Sequence, residues 1–229
     1  MKVGIMQPYL FPYLGYFQLI NAVDIFIIYD DVNYIKQGYI NRNNVLINGA
    51  VKRFTIPVPG ASSFSKINEL QFAPDVEKVL KTIQQAYSKK PYFTDIYPLV
   101  ERVLLSKERS VHQMCQMAFT EIFRWLGIEK KMLLSSELHY ERATGAAEKV
   151  VNICRTVGAD KYINSIGGRH LYQPDFFAER GLSLSFIKMH EIAYHQGNHT
   201  FQPNLSIIDV LMHCSPDDIR TYLRNYELL

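Results

Sequence analysis

The chain has 229 residues, enough for one large domain with a sizeable core. Hydrophobic residues make up 48% and charged residues 21%, globular proportions that exclude a disordered or collagen-like chain. Lys and Arg number 25 against 22 Asp and Glu, and the resulting +3 is too small to predict nucleic-acid binding, which needs a clustered basic surface.

Cys115, Cys154 and Cys214 are far apart and match no zinc or redox spacing, which fits a reducing compartment. The opening MKVGIMQPYLFPYLGYF has one Lys, no cleavage site and two prolines in its apolar part, so no signal peptide is expected. No stretch reaches the roughly 20 apolar residues needed to span a bilayer. The expectation is a soluble cytoplasmic protein that neither crosses a membrane nor binds nucleic acid. Aromatic content is 13%, with 15 Tyr, 13 Phe and one Trp; most of these tyrosines are expected in the core, so clustering must identify any that bind ligand.

In chain order, Lys2 to Met6 reads as a buried strand ended by Pro8, and the apolar spacing of Leu14, Phe17, Leu19 and Ile20 predicts a helix from Pro12 to Asn21. Asp24 to Tyr29 is almost continuously apolar, as a strand covered on both faces would be, so the first 30 residues form a βαβ unit. Asn48-Gly49 between Val45–Ile47 and Arg53–Ile56 predicts a hairpin, because both central positions of a type I′ turn need positive φ. Ile67 to Phe72 is expected as a further strand. Helices are predicted over Asp75–Tyr87, Tyr97–Leu105 and Ser110–Leu126, a helical region of about residues 75–130. Then follow a strand at Lys131–Leu134, a helix at Thr144–Val157 and a strand at Lys161–Asn164. A helix at Pro174–Arg180, a strand at Leu182–Lys188 and helices at Asn204–Cys214 and Pro216–Tyr222 complete the chain. This alternation predicts a single α/β domain over 1–229: a mainly parallel sheet between helices, Rossmann-like, with an inserted hairpin. Ligands of such folds bind beyond the carboxyl ends of the strands.

The first strand-end loop, Gln7-Pro8-Tyr9-Leu10-Phe11-Pro12-Tyr13-Leu14-Gly15-Tyr16, is held by two prolines and leads into a helix whose free N–H groups suit an anion. Asp30-Asp31 after the second strand could hold Mg²⁺ or accept from an amine or sugar hydroxyl; a solvated turn is the plainer reading. Lys36, Asn41, Arg42 and Asn43, with Tyr34 and Tyr39 between them, suit phosphate and hydroxyl groups, or an ordinary polar hairpin. Asn164 to Tyr172 contains Gly167-Gly168 but matches neither the dinucleotide nor the P-loop pattern. Ser206 and Asp209 stand at a predicted helix start, as caps or beside an anion. His190, His195 and His199 lack metal-site spacing, so no metal site is expected. Cys154 reads as a core residue.

Pro-Tyr-x-Gly-Tyr-x-x-Leu-Ile is similar to the His-x-Gly-His loop of nucleotidyltransferase-like enzymes such as pantoate–β-alanine ligases, with Tyr13 and Tyr16 where the histidines would be. A phenol is neutral at pH 7 and a poorer partner for developing charge. The opening motif resembles the WbqC-like protein family, as do Tyr-Asp-Asp-Val at Tyr29, Asn-Arg-Asn at Asn41, Tyr-Ile-Asn-x-x-Gly-Gly and the late Leu-Ser-Ile-Ile-Asp-Val-Leu. The resemblance covers essentially the whole chain. It implies a role in bacterial O-antigen and other surface-glycan synthesis, where a glycine transferase role is suggested for some members.

Joined, the resemblances imply a transferase that moves an aminoacyl or acyl group from a small carboxylate onto an amino sugar of a nucleotide-linked sugar, with ATP and Mg²⁺ as candidate cofactors. Asp30, Asp31, Lys36 and Arg42 are its candidate catalytic residues. Ligand contacts are expected from Gln7, Pro8, Tyr9, Tyr13, Gly15, Tyr16, Gln18, Asn41, Asn43, Asn164, Gly167, Gly168, Tyr172, Ser206 and Asp209. The alternative is a non-catalytic protein that grips a nucleotide-sugar or glycan, and a further reading makes the aromatics an oligomer interface.

Overall fold

The computed structural model describes residues 1–229. Strand β1 (Lys2–Met6), helix α1 (Leu14–Ala22) and strand β2 (Ile25–Ile28) form the expected βαβ unit, with Val3 to Met6 paired in parallel with Ile25 to Ile28. Every residue of β2 is buried, which explains its unbroken Ile-Phe-Ile-Ile. β5 (Lys131–Leu134), β6 (Lys161–Ser165) and β7 (Ser183–Met189) extend the parallel sheet, and β8 (Tyr226–Leu228) closes it antiparallel to β7, in the order β5-β2-β1-β6-β7-β8.

Side chains alternate between two cores. One face packs Phe26, Ile28, Leu134, Ile163 and Ile187 into a 47-residue cluster with α1, α2 (Glu77–Tyr87), α3 (Phe93–Leu104), α4 (Val111–Trp125), α7 (Ile207–His213) and α8 (Pro216–Tyr222). The other packs Val3, Ile5, Ile25, Ile27 and Tyr162 into a 12-residue cluster with α5 (Ala146–Thr156) and α6 (Pro174–Ala178). The period of two along each strand is what lets both faces be apolar. Cys154 is fully buried in the smaller core, and its thiol is pushed up to about 12 by burial.

The hairpin β3 (Arg42–Ile47) and β4 (Ala50–Thr55) is a separate two-stranded sheet turning at Asn48 (φ 49°) and Gly49 (φ 77°), the two positive φ values that a type I′ turn requires. A Cβ on Gly49 would also stand 2.6 Å from His199 Cγ.

Three expectations change and one strand is added. Ile67–Phe72 is not a strand: Ile67–Glu69 is a 3₁₀ turn, and only an isolated bridge, Gln71 to Ser110, follows. Glu69 reaches back to the Lys66 amide, and that local bond competes with a ladder. α3 begins four residues before Tyr97 and runs through Pro98, its burial of Ile96, Leu99, Val100, Val103 and Leu104 offsetting the one bond proline removes. α7 starts at Ile207 rather than Asn204, because Asn204 is left-handed (φ 57°). β8, three residues long, carries no periodicity to read. No helix is long and apolar enough to cross a membrane.

Candidate functional site

β1 hands the chain to α1 on the large-core face, whereas its neighbour β6 hands it to α6 on the other. Adjacent strands whose crossovers leave on opposite faces open a crevice at their carboxyl ends, the ligand position of open α/β sheets. Three cavities of about 500, 290 and 280 Å³ meet there, and each is lined by both Tyr13 and Asn204. The first also holds Met189, His190, Glu191, Tyr194 and Phe201; the second Tyr9, Pro12, Tyr39 and Asn43; the third Gly15, Gln18, Ser165 and Lys188.

Tyr13 is the N-cap of α1 but makes no capping bond, so the helix's first turn has neither a side-chain cap nor an acidic residue. Its ring lies over that turn: a Cβ on Gly15 would fall 2.4 Å from Tyr13 Cε2. Burial raises the pKa of Tyr9, helped by Tyr13, and raises that of Tyr13 as well, so both phenols remain protonated donors.

The loop before Tyr13 turns through Phe11, a bulky residue with φ 48°, a conformation that surrounding contacts must hold. Asn43 Nδ2 and Ser206 Oγ both donate to the Phe11 carbonyl, at 2.8 and 2.7 Å. Ile207 N donates to Pro12 O at 2.7 Å, and Ser206 Oγ accepts from Ile208 N. The start of α7 therefore clamps the Tyr13 loop with one amide and one hydroxyl.

Of the other sequence-chosen residues, Tyr16 is buried beside Phe26 and Phe119 and donates to Gln7 O at 2.6 Å. Pro8 is buried. Gln18 donates to Tyr222 O and Asn225 O, tying α1 to α8, and its Oε1 has no partner; neither has Gln7 Oε1. Asn41 donates to Ile56 O and closes the base of the hairpin. Lys36 is exposed, and Arg42 Nε donates to Gly38 O at 2.8 Å. Gly167 and Gly168 form a 3₁₀ turn, with Gly168 against the buried Asn164. Tyr172 packs edge-on against Tyr162 and Phe177 in the smaller core, on the opposite face from Tyr13.

Asp209 is fully buried and accepts from Tyr87 OH at 2.8 Å, Tyr194 OH at 2.8 Å and Gln196 Nε2 at 3.0 Å. This network fastens the segment after β7, and with it the wall of the 500 Å³ cavity, to α7 and α2. Burial lowers the pKa of neighbouring His213 despite the Asp209 carboxylate.

Asp30 and Asp31 close the carboxyl end of β2. Asp30 accepts from Ser135 Oγ and Ser136 N, both at 2.9 Å, and from Ser136 Oγ at 2.7 Å; His112 Nε2 stands 3.9 Å away. Asp31 accepts from Tyr140 OH and Arg142 Nε, both at 2.7 Å, and its other oxygen lies 2.5 Å from Ser135 Oγ, whose single proton serves either Asp31 or Asp30, the latter still accepting from Ser136 N. Burial pushes the Asp31 pKa up, but these hydrogen bonds and the Arg142 charge outweigh it and hold the carboxyl below its usual range. All four carboxylate oxygens face protein donors, so the pair does not fit a Mg²⁺ site, which needs free carboxylate lone pairs and room for water. Nor do these aspartates line the three cavities. The structure thus gathers Tyr9, Tyr13, Gly15, Gln18 and Asn43 around the crevice and leaves the aspartates in a strap beside it.

His190 to Asn204 was expected as a strand-end loop, but none of its residues was chosen as a ligand contact; only the order of strands brings the segment after β7 against the loop after β1. Ser135-Ser136 was expected as a strand-end loop, but Tyr140 and Arg142 were missed, since their partner Asp31 lies more than a hundred residues away.

The fold defines an open α/β protein of Rossmann-like order with a crevice at its switch point, the place where such folds bind ligands. The sequence profile of the WbqC-like protein family matches residues 7–221, and the chain belongs to that family. It is similar to an uncharacterized protein of Mycobacterium tuberculosis, Rv1507c, 29% identical over 227 residues that cover 96% of this chain and 97% of the relative. No solved structure matches it.

Proposed function

We propose that the chain is a transferase of surface-glycan assembly that takes a nucleotide-linked amino sugar in the switch-point crevice and accepts an acyl or aminoacyl group, glycyl among them, onto its amine. The observation that carries this reading is the convergence of three cavities on Tyr13 and Asn204. Phenol faces and amides suit sugar rings and hydroxyls, and the uncapped start of α1 suits phosphate. The family's association with glycan gene clusters supports the choice of substrate.

In this reading His190 and Glu191, which line the 500 Å³ cavity, supply the base. The sugar amine attacks the acyl carbon, the C–N bond forms, the bond to the leaving group breaks, and the amine proton passes to the imidazole or carboxylate. Tyr9 and Tyr13 donate to the oxygen on which charge develops. Asp30 and Asp31 act at a distance by holding the Ser135–Arg142 strap.

The saturation of those aspartates favours one further reading, binding without catalysis. Mass spectrometry separates the two, with UDP- and dTDP-linked amino sugars, ATP and glycine or a preformed acyl thioester as donor. The transferase reading expects an acylated sugar whose formation falls in His190→Ala/Glu191→Gln while binding persists. Binding without product selects the second reading, and neither binding nor product contradicts both.

A further inference from the structure

From Val32 to Asn68 the chain carries Lys36, Arg42, Lys52, Arg53 and Lys66 and no Asp or Glu. That +5 exceeds the net +3 of the whole chain, so the rest of the molecule is net negative and the positive charge is local. The same segment displays Phe64 at 89% exposure, Tyr39 at 50% and Ile35 at 49%. A large apolar side chain that exposed gains nothing from folding, and a cluster of them marks a surface that is covered in use.

The cluster is built rather than loose. Asn33 and Lys66 form an antiparallel bridge and Tyr34 N donates to Ser65 O at 2.9 Å, a register that sets Ile35 opposite Phe64. Ser62 Oγ accepts from the Phe64 and Ser65 amides and lies 2.9 Å from Ser65 Oγ, fixing the turn that presents Phe64. Gly38 N donates to Ile35 O, and Arg42 Nε to Gly38 O, which holds Tyr39 and one cation in the same loop. Lys36 adjoins Ile35 and Lys66 adjoins Ser65. The nearest acid in sequence, Glu69, is folded back onto the Lys66 amide.

We propose that Ile35, Tyr39 and Phe64, ringed by Lys36, Arg42 and Lys66, dock this face on an anionic lipid bilayer, the apolar side chains entering the headgroup layer while the cations meet lipid phosphates. Protruding apolar residues among cations match the two-signal attachment of peripheral proteins. A nucleic acid fits less well, since single strands are gripped by grooves lined with stacking rings, and here the aliphatic Ile35 is exposed in register with Phe64. Tyr39 also lines a cavity with Tyr13, so docking brings the crevice to the membrane surface. The proposal rests on this surface alone.

Co-sedimentation of the full chain with phosphatidylcholine vesicles, with and without phosphatidylglycerol, tests it in the absence of any nucleotide-sugar, so its outcome is independent of the proposed reaction. Binding is expected only to the anionic vesicles and should weaken with salt. Lys36→Gln/Lys66→Gln should lower partitioning by about tenfold or more, and Ile35→Ser/Phe64→Ser should abolish it with an unchanged melting temperature. No binding to anionic vesicles, equal binding to neutral ones, or undiminished binding by the serine variant would overturn the proposal. So would tighter binding to a single-stranded oligonucleotide through Ile35 and Phe64.

Discussion

Replacing Gly15 with alanine would put a Cβ 2.4 Å from Cε2 of the Tyr13 ring, well inside contact distance, so the ring must swing off the first turn of α1. Only the end of a half-buried side chain moves, and alanine is worth about 1 kcal/mol over glycine in a helix. Gly15→Ala should therefore leave the melting temperature nearly unchanged yet weaken nucleotide-sugar affinity by about tenfold, or 1.4 kcal/mol, as calorimetry would show. Ser206→Ala removes both a helix cap and a donor to the strained Phe11 carbonyl, and should lower unfolding free energy by about 2 kcal/mol in urea titrations. For Asp31 the folded pKa lies below the unfolded one, so its stabilisation is present above the unfolded value and is lost as pH falls through the lowered folded value. Stability should decline below about pH 4. Asp31→Asn should flatten that decline and cost about 2 kcal/mol at neutrality, a figure tempered by Arg142 being 38% exposed. The opening motif made Tyr9, Tyr13 and Gly15 legible as ligand candidates. Ser206 was legible as a helix cap and Asn43 as a ligand candidate, but not their hold on the Phe11 loop, because their shared partner is a backbone carbonyl, 195 residues from Ser206.

α7 is seven residues long, too short to hold its place by propensity, and Asp209 anchors it through three side-chain donors. Asp209→Ala would leave the Tyr87 and Tyr194 hydroxyls short of an acceptor in the interior, a cost of about 3 kcal/mol. Amide exchange should then accelerate across residues 194–203, while the amides of β1 and β6 keep their protection relative to global unfolding. The elements the sequence made plain are those with long periodic runs or special turn chemistry: α4, α5, and the Asn48-Gly49 hairpin. Ile67–Phe72 misled because its apolar residues serve a 3₁₀ turn and a bridge, in which Ile67, Leu70 and Phe72 are buried without a ladder. β8 was invisible because a strand of three residues exists only by pairing with β7.

Across the whole molecule, strand–helix alternation was enough to expect a parallel sheet, but the order of its strands depends on pairings between distant segments. That order creates the crevice: it sets the loop after β1 against Ser165 and the segment after β7, and it sends Tyr172 to the far face. The candidate residues therefore divide into a group around Tyr13 and a strap around Asp31, a division with no signature in their spacing. Whole-chain charge likewise concealed the basic segment of residues 32–68, since acids elsewhere cancel it. The most direct test of a ligand site at the switch point is the calorimetric affinity of nucleotide-linked amino sugars for three proteins: wild type, Tyr13→Ala and Tyr172→Phe. Binding to wild type, weakened at least about tenfold in Tyr13→Ala and preserved in Tyr172→Phe, is the predicted result. Equal affinity in Tyr13→Ala, or loss in Tyr172→Phe alone, would contradict it and move the ligand to the smaller-core face.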